Sequence, residues 1–180
     1  MKISRKSFLS VVSLAAGAAA FSSLMSDAGA QAAPPGYRWE THPKANVKFL
    51  VPSNWITTGE PGDVVITKPK EPGLALEFVP IVFGAAEAAK AEAAAGKAIL
   101  QRIPDAHVTA PATPVSQNGL TGTLIKGEGT KSGAKVEFFA VVLGDGKGHG
   151  LLSVGLAGTG QLATYHDKVV EVFNSIRPMS

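Results

Sequence analysis

An antiparallel sheet of about six to seven strands flanked by two main helices, an α+β domain, is the fold class that the sequence predicts, and three observations predict it. Strand-like segments precede a long Ala-rich helical segment, further strand-like segments follow it, and the pattern closes on an amphipathic helix. The connections between the later strands are of hairpin length, which antiparallel neighbours allow and parallel ones do not. Residues 37–180 carry this pattern without an internal break and are read as a single domain, large enough to bury a sizeable core.

Residues 1–32 stand apart. Lys2, Arg5 and Lys6 form a positive start, Phe8 to Phe21 is an apolar run diluted by Ala, Gly and Ser, and Ala28-Gly29-Ala30 or Ala30-Gln31-Ala32 offers a small-x-small cleavage site, the pattern of a cleaved export signal. The apolar run is shorter than the roughly 20 residues that span a bilayer, and with no cysteine there is no lipid-anchor site. A periplasmic or secreted protein is expected. Ser4-Arg5-Lys6-Ser7-Phe8-Leu9 is similar to the twin-arginine export pattern, with Lys6 in place of the second arginine, so both the twin-arginine and the general secretory routes stay open. Ala33-Pro34-Pro35-Gly36 is read as an extended tether (33–36).

The elements of 37–180 follow in order. Tyr37 to Thr41 and Val47 to Val51 are strands, the second alternating Val47, Phe49 and Val51 with Lys48 and Leu50. Pro52 ends it, because proline has no ladder donor. Val64 to Ile66 and Leu74 to Val82 are two more strands, separated by the turn Lys68-Pro69-Lys70-Glu71-Pro72-Gly73. From Ala85 to Ile103 the period becomes helical, with Ile99, Leu100 and Ile103 at the far end and Pro104 as the stop. Val108 to Val115 is interrupted by Pro111 and Pro114 and so is an edge strand or a loop. Leu120 to Lys126, Val136 to Leu143 and Leu151 to Leu156 are strong strands, and Phe138 to Leu143, apolar at every position, marks a central strand covered on both faces. The glycine-rich stretches 127–133 and 144–150 are read as the hairpin loops between them. In the last helix Leu162, Tyr165, Val169, Val172 and Ile176 share one face, with Gln161, Thr164, Lys168, Glu171 and Ser175 opposite; Thr159 is the expected N-cap and Pro178 follows the end.

The phrase Val47-Lys48-Phe49-Leu50-Val51-Pro52-Ser53-Asn54-Trp55, an apolar strand ending in Pro with Trp three residues on, resembles the opening of the PsbP-like family. The stretch Leu151 to Gly155 and the helix ending Val172-Phe173-Asn174-Ser175-Ile176-Arg177-Pro178 are similar to that family's close. The resemblance implies an α/β/α sandwich on an antiparallel sheet, whose members mostly bind partners. It carries over no catalytic residue. Trp55 is expected to be a packing anchor.

Composition narrows the function classes. Residues 1–32 take Lys2, Arg5, Lys6 and Asp27 from the 17 Lys+Arg and 14 Asp+Glu of the whole chain, leaving 14 against 13, and with no basic cluster in the rest a nucleic-acid partner is not expected. The absence of cysteine removes thiol nucleophiles and thiolate metal sites. Four histidines, His42, His107, His149 and His166, stand at no metal-ligand spacing from one another. Ser132-Gly133-Ala134-Lys135 and Lys131-Ser132-Gly133 formally match the S-x-x-K and K-T/S-G signatures of penicillin-recognising enzymes, but they overlap in one turn where that chemistry needs them apart. Gly150 to Gly155 misses the nucleophile elbow because Ser153 lies inside a strand pattern, and no glycine loop opens a helix that could hold a phosphate. No cofactor is expected. Metal binding stays open.

What remains is the loop from Gly144 to Gly150, where Asp145, Lys147 and His149 stand together on a Gly-rich turn between two apolar strands. The leading reading is a small exported, non-enzymatic accessory or binding protein acting on a protein partner in the periplasm or cell envelope, with that loop as the contact. Two alternatives remain: a hydrolytic or metal-dependent enzyme whose residues, among them His42, His107, Asp145 and His149, converge only in three dimensions, and a carrier of a small apolar ligand. Convergence within a concave pocket separates the enzyme from the binder.

Overall fold

In the computed structural model, which describes residues 32–60, 62–82 and 88–179, the alternation of Val47, Phe49 and Val51 does what its period demands. Strand β2 (Val47–Pro52) points these three inward and pairs antiparallel with β1 (Tyr37–His42) on one side and with β10 (Arg177–Pro178) on the other. This three-stranded sheet covers one face of a seven-stranded antiparallel sheet in the order β3 (Ile56–Thr58), β4 (Val65–Lys68), β5 (Leu74–Val82), β9 (His149–Gly158), β8 (Ala134–Gly144), β7 (Leu120–Lys131), β6 (His107–Gln117). Helix α2 (Gln161–Ser175) packs with the smaller sheet, and helix α1 (Ala88–Arg102) covers the opposite face. Two layers of core result. Residues 33–180 form one compact unit, the export-signal reading and Ala85 to Glu87 of the expected helix lie outside the described residues, and the described part of that helix begins at Ala88.

Strand β8 shows why a continuous apolar run marks a sheet interior. Phe138, Ala140 and Val142 enter the core under α1 with Ile99 and Ile103, while Phe139, Val141 and Leu143 enter the core under β2 and α2. Its two adjacent phenylalanines each lie over a glycine of a neighbouring strand. Phe139 is paired with Gly155 of β9 and Phe138 with Gly127 of β7, and a Cβ on either glycine would meet the ring at 2.0 Å and 2.3 Å respectively. Phe139 contacts Phe173 edge-on at 5.1 Å between centroids, and Phe49 stacks on Phe78 at 4.1 Å, tying the two sheets and α2 together.

Several boundaries differ from the sequence reading. The stretch 127–133 is not a loop: β7 runs to Lys131, and only Ser132 and Gly133, both at positive φ, make the turn. Its glycines are there for packing, Gly127 making room for Phe138 and Gly129 for Ile103. The same two-residue turn, Asn118-Gly119, joins β6 and β7. Asn118 Nδ2 also donates to the carbonyls of Asn174 and Ile176 at 2.9 and 2.8 Å, capping the end of α2. Of the two readings that Pro111 and Pro114 left open, edge strand or loop, β6 is the edge strand, with register shifts between Val108 and Thr113. Pro80 sits in β5 past the last residue that β4 pairs, where no donor is needed.

At α2 the N-cap is Gly160, in the left-handed region with φ 78°, and not Thr159. Ser175, assigned to the polar face, is buried: its Oγ donates to Val172 O at 2.6 Å and accepts from Leu50 N at 2.7 Å, fastening the helix to β2. Leu100, expected on the apolar end of α1, is exposed. Trp55 is buried, edge-on to Tyr165 at 6.4 Å, and its carbonyl accepts from Arg38 Nη1 at 3.1 Å.

Candidate functional site

The β8–β9 hairpin reaches its tip at Asp145 to Gly148, beyond the pair Gly144–Gly150. Next to the tip both strands are buried, β8 from Phe138 to Leu143 and β9 from Gly150 to Ala157, so the tip stands on a stiff base. Asp145 turns inward. Its Oδ1 accepts from Lys147 N at 2.7 Å and His149 N at 3.1 Å, and its Oδ2 accepts from His149 Nδ1 at 2.8 Å. Burial pushes the Asp145 carboxyl up, but the bonds from the Lys147 amide and from the His149 ring and amide outweigh it and hold the group below its ordinary value. The outcome is a division of labour within the loop: Asp145, with a side chain 10 % exposed, fixes the turn and the ring, while His149, 47 % exposed, presents its Nε2 and Lys147 its ammonium to solvent.

The other histidines lie elsewhere. His42, at the end of β1, is fully buried and spends its Nε2 donating to Asp63 O at 2.6 Å. His107 opens β6 and donates to Glu128 at 3.0 Å. Glu128 pairs with Glu137, seven residues before Gly144 along β8, so at a strand's rise of about 3.3 Å per residue His107 lies roughly 23 Å from the loop. Beside it Asp105 accepts from Thr130 N at 2.7 Å, and the backbone and side-chain bonds from Thr130 hold its carboxyl low. His166, on α2, lies 3.1 Å from its neighbour Asp167. Of the sequence-chosen residues the fold brings together Asp145, Lys147 and His149. His42, His107 and His166 stay apart, and no cluster of three or more His, Asp or Glu able to hold a metal ion occurs among the described residues. A shallow cleft of about 410 Å3 opens at the other end of the sheet, with Lys68, Lys70, Glu71 and Lys131 around Val136 and Leu156; none of the chosen residues lines it.

Solved structures share this arrangement of layers. The solution structure of cyanobacterial PsbP (CyanoP) from Synechocystis sp. PCC 6803 superposes with a TM-score of 0.57 at 16 % identity, over 86 % of this chain and 98 % of that one. The fold is PsbP-like. A protein of Bacteroides thetaiotaomicron gives a TM-score of 0.59 at 12 % identity over 81 % of this chain, which spans only 49 % of that protein's length. LpqN, involved in cell envelope biogenesis of Mycobacterium tuberculosis, gives 0.51 at 18 % identity over 78 % of this chain and 89 % of LpqN. No protein-family model and no curated protein matches the chain.

In this PsbP-like domain one group of polar side chains escaped the sequence reading. Trp39, Lys48 and Arg177 meet on the outer face of the three-stranded sheet, with Lys48 Nζ 5.2 Å and Arg177 Cζ 4.7 Å from the Trp39 ring centroid. They come from three strands, and no spacing in the sequence announces them. The only available signal was Pro178 standing two residues after a buried Ile176, which reads as a helix stop and proves also to be a strand pair of Val47.

Proposed function

We propose that this protein is an exported, non-enzymatic accessory protein that binds a protein partner in the periplasm or cell envelope, and that the loop from Gly144 to Gly150 makes the contact. The observation that carries the reading is the loop itself: two strands buried on both faces next to the tip hold up a turn whose carboxylate is used internally, leaving the exposed Lys147 ammonium and the His149 ring, held by Asp145, as the presented groups. The separation of His42, His107 and His166 from this loop supports a binder over an enzyme, because acid–base or metal chemistry needs groups within a few ångströms of one reacting atom. The pattern of residues 1–32 and the PsbP-like fold, shared with a protein of cell envelope biogenesis, support the location.

The test keeps Asp145, since its removal would loosen the turn. Lys147→Ala with His149→Ala should weaken a crosslinked complex recovered from envelope extract about tenfold, the loss that follows when contact residues costing more than about 1 kcal/mol are truncated. The melting temperature should stay within about 1 °C, as exposed charges contribute little to stability. Calorimetric titration with zinc, manganese and calcium runs beside it. Metal uptake that the double variant abolishes would replace the protein partner with a metal, and an unaltered complex would remove the loop from the reading.

A further inference from the structure

Helix α1 stops short of one end of the sheet face that it covers. Arg102, in its last turn, pairs with Glu77, and the chain then leaves over β7, with Ile103, Asp105 and Ala106 against Gly129. Beyond Glu77 the paired residues Ala75–Leu156 and Val136–Gly158 form the floor of the shallow cleft of about 410 Å3. Leu156 and Val136 belong to the core under α1, so the floor continues that core to the surface. The β4–β5 turn raises a wall beside it, shaped by Pro69 and Pro72 and held down where Gly73 O accepts from Gly158 N at 3.3 Å.

Side chains alternate between the two faces along a strand. Val65 enters the core under β2 and α2, so Lys68, three residues on, faces the α1 side; Gly129 faces Ile103, so Lys131, two residues on, shares that side. Both lysines are exposed, as is Lys70 of the turn, and among the described residues lining the cleft Glu71 is the one carboxylate against these three ammoniums. No ion pair among the described residues takes up any of the three. The neighbouring carboxylates are engaged elsewhere: Asp105 accepts from Thr130 N at 2.7 Å, Glu77 pairs with Arg102, and Glu137, on the α2 side, accepts from Gly160 N at 3.2 Å. An apolar floor is thus set between cations, and the cations do not converge on one point. Lys68 and Lys131 come from β4 and β7, four strand spacings apart in the order β4-β5-β9-β8-β7, or about 19 Å between backbones. One phosphate or carboxylate cannot meet both walls. An extended segment of about six residues, acidic at both ends and apolar in the middle, spans them.

We propose that this cleft binds an acidic, extended segment of a protein partner, with one apolar side chain on Ala75, Val136 and Leu156 and carboxylates on Lys68 and Lys70 at one wall and on Lys131 at the other. The cleft is shallow, so it suits a segment of a larger molecule and not a ligand enclosed on all sides. The inference rests on the accessory-protein reading only in taking the partner to be a protein. Its place is distinct from the loop: Ala134, beside Lys131, opens β8, and Gly144, beside the loop, closes it, about 33 Å away along the strand.

The experiment uses the full chain and a fluorescein-labelled peptide with a pair of glutamates at each end and a leucine between two alanines at its centre, followed by fluorescence anisotropy. The parent should bind the peptide and release it as salt rises. Lys68→Gln with Lys131→Gln should weaken binding about tenfold with the melting temperature within about 1 °C of the parent, since exposed charges contribute little to stability. Lys68→Arg with Lys131→Arg should stay within about twofold, because the charges persist. A peptide with serine for the central leucine should bind about fivefold more weakly, having nothing to place on the floor. One with all four glutamates at a single end should lose about as much, since it reaches one wall only. Lys147→Ala with His149→Ala should leave peptide binding unchanged, so failure of the loop reading and failure of this one are told apart. Residues 1–32 are common to all forms and cancel in the ratios. A parent that does not bind the peptide, equal binding by the double glutamine variant, or equal binding of the peptide with clustered charges would each overturn the proposal. Displacement by decanoate as effective as that by unlabelled peptide would overturn it in favour of a small amphiphilic anion.

Discussion

Adding one methyl group at Gly155 tests the packing on which both sheets depend. The backbone there has an ordinary negative-φ conformation, so Gly155→Ala carries no conformational penalty, only a steric one. An ideal Cβ would stand 2.0 Å from Phe139 Cζ and 2.1 Å from its Cε1, where ordinary contact begins at 3.4 Å. Ring or strand must therefore move by about 1.4 Å to restore normal van der Waals distance. Neither is free to do so. Phe139 is 6 % exposed and held edge-on by Phe173 at 5.1 Å; Phe173 in turn meets Phe78 at 6.3 Å, and Phe78 stacks on Phe49 at 4.1 Å, so a shift passes through four rings into both sheets. Overpacking of this kind costs roughly 1–3 kcal/mol, and losing a flexible glycine from a strand returns about 0.5–1 kcal/mol. The net loss should be about 1–2 kcal/mol, read as a lower urea midpoint by far-UV circular dichroism and a melting temperature down by roughly 3–8 °C. Phe139→Leu in the same chain should relieve the clash, so the double variant should be more stable than the sum of the singles by about 1 kcal/mol. A Gly155→Ala protein as stable as the parent, or strict additivity with Phe139→Leu, would refute the account of Phe139 lying over β9.

Two further outcomes are expected. Trp55→Ala should cost about 3–5 kcal/mol, because the ring is 7 % exposed and packs on Tyr165 and the core; a loss below about 1 kcal/mol in urea denaturation would show that the side chain anchors nothing. Asp145 has a folded pKa below the ordinary 3.8, so its ionised form stabilises the fold in full above that value and the contribution fades as pH falls through the lower, folded one. Asp145→Asn should therefore be less stable than the parent at pH 6, with the gap closing below about pH 4; a gap that stays constant down to pH 2 would mean that the charge plays no part.

What the sequence disclosed follows from where its patterns are local. β5 is legible to the residue because Leu74 to Val82 is apolar at every position but Glu77, and β8 because every position from Phe138 to Leu143 is apolar. β6 is legible as an edge because its prolines cannot serve a central strand. The second half of β7 is not, since Gly127 and Gly129 look like turn residues until Phe138 and Ile103 are seen beside them. β3 and β10, three and two residues long, are too short to show any period. Ser175 is polar in composition and buried in fact because a backbone amide of β2, far away in sequence, needs its oxygen. At the candidate site the loop was legible from its glycines, while the inward role of Asp145 depends on a turn geometry that residue order does not state.

The pairing of β10 with β2 imposes an order on assembly. Leu50 N meets Ser175 Oγ across a sequence separation of 125 residues, and Tyr37 meets Lys168 across 131. Contacts of such span are closed late, because the chain entropy lost on joining distant segments is returned only when both are in place. Residues 107–158, by contrast, can assemble four strands of the large sheet by the neighbour-to-neighbour hairpins β6–β7, β7–β8 and β8–β9. Until α2 and β10 arrive, β1 and β2 are a bare hairpin, marginal in water, with Val47, Phe49 and Val51 uncovered. During synthesis that hairpin is the segment a chaperone or holding factor would meet, and the sealing of the smaller sheet is the event that withdraws it.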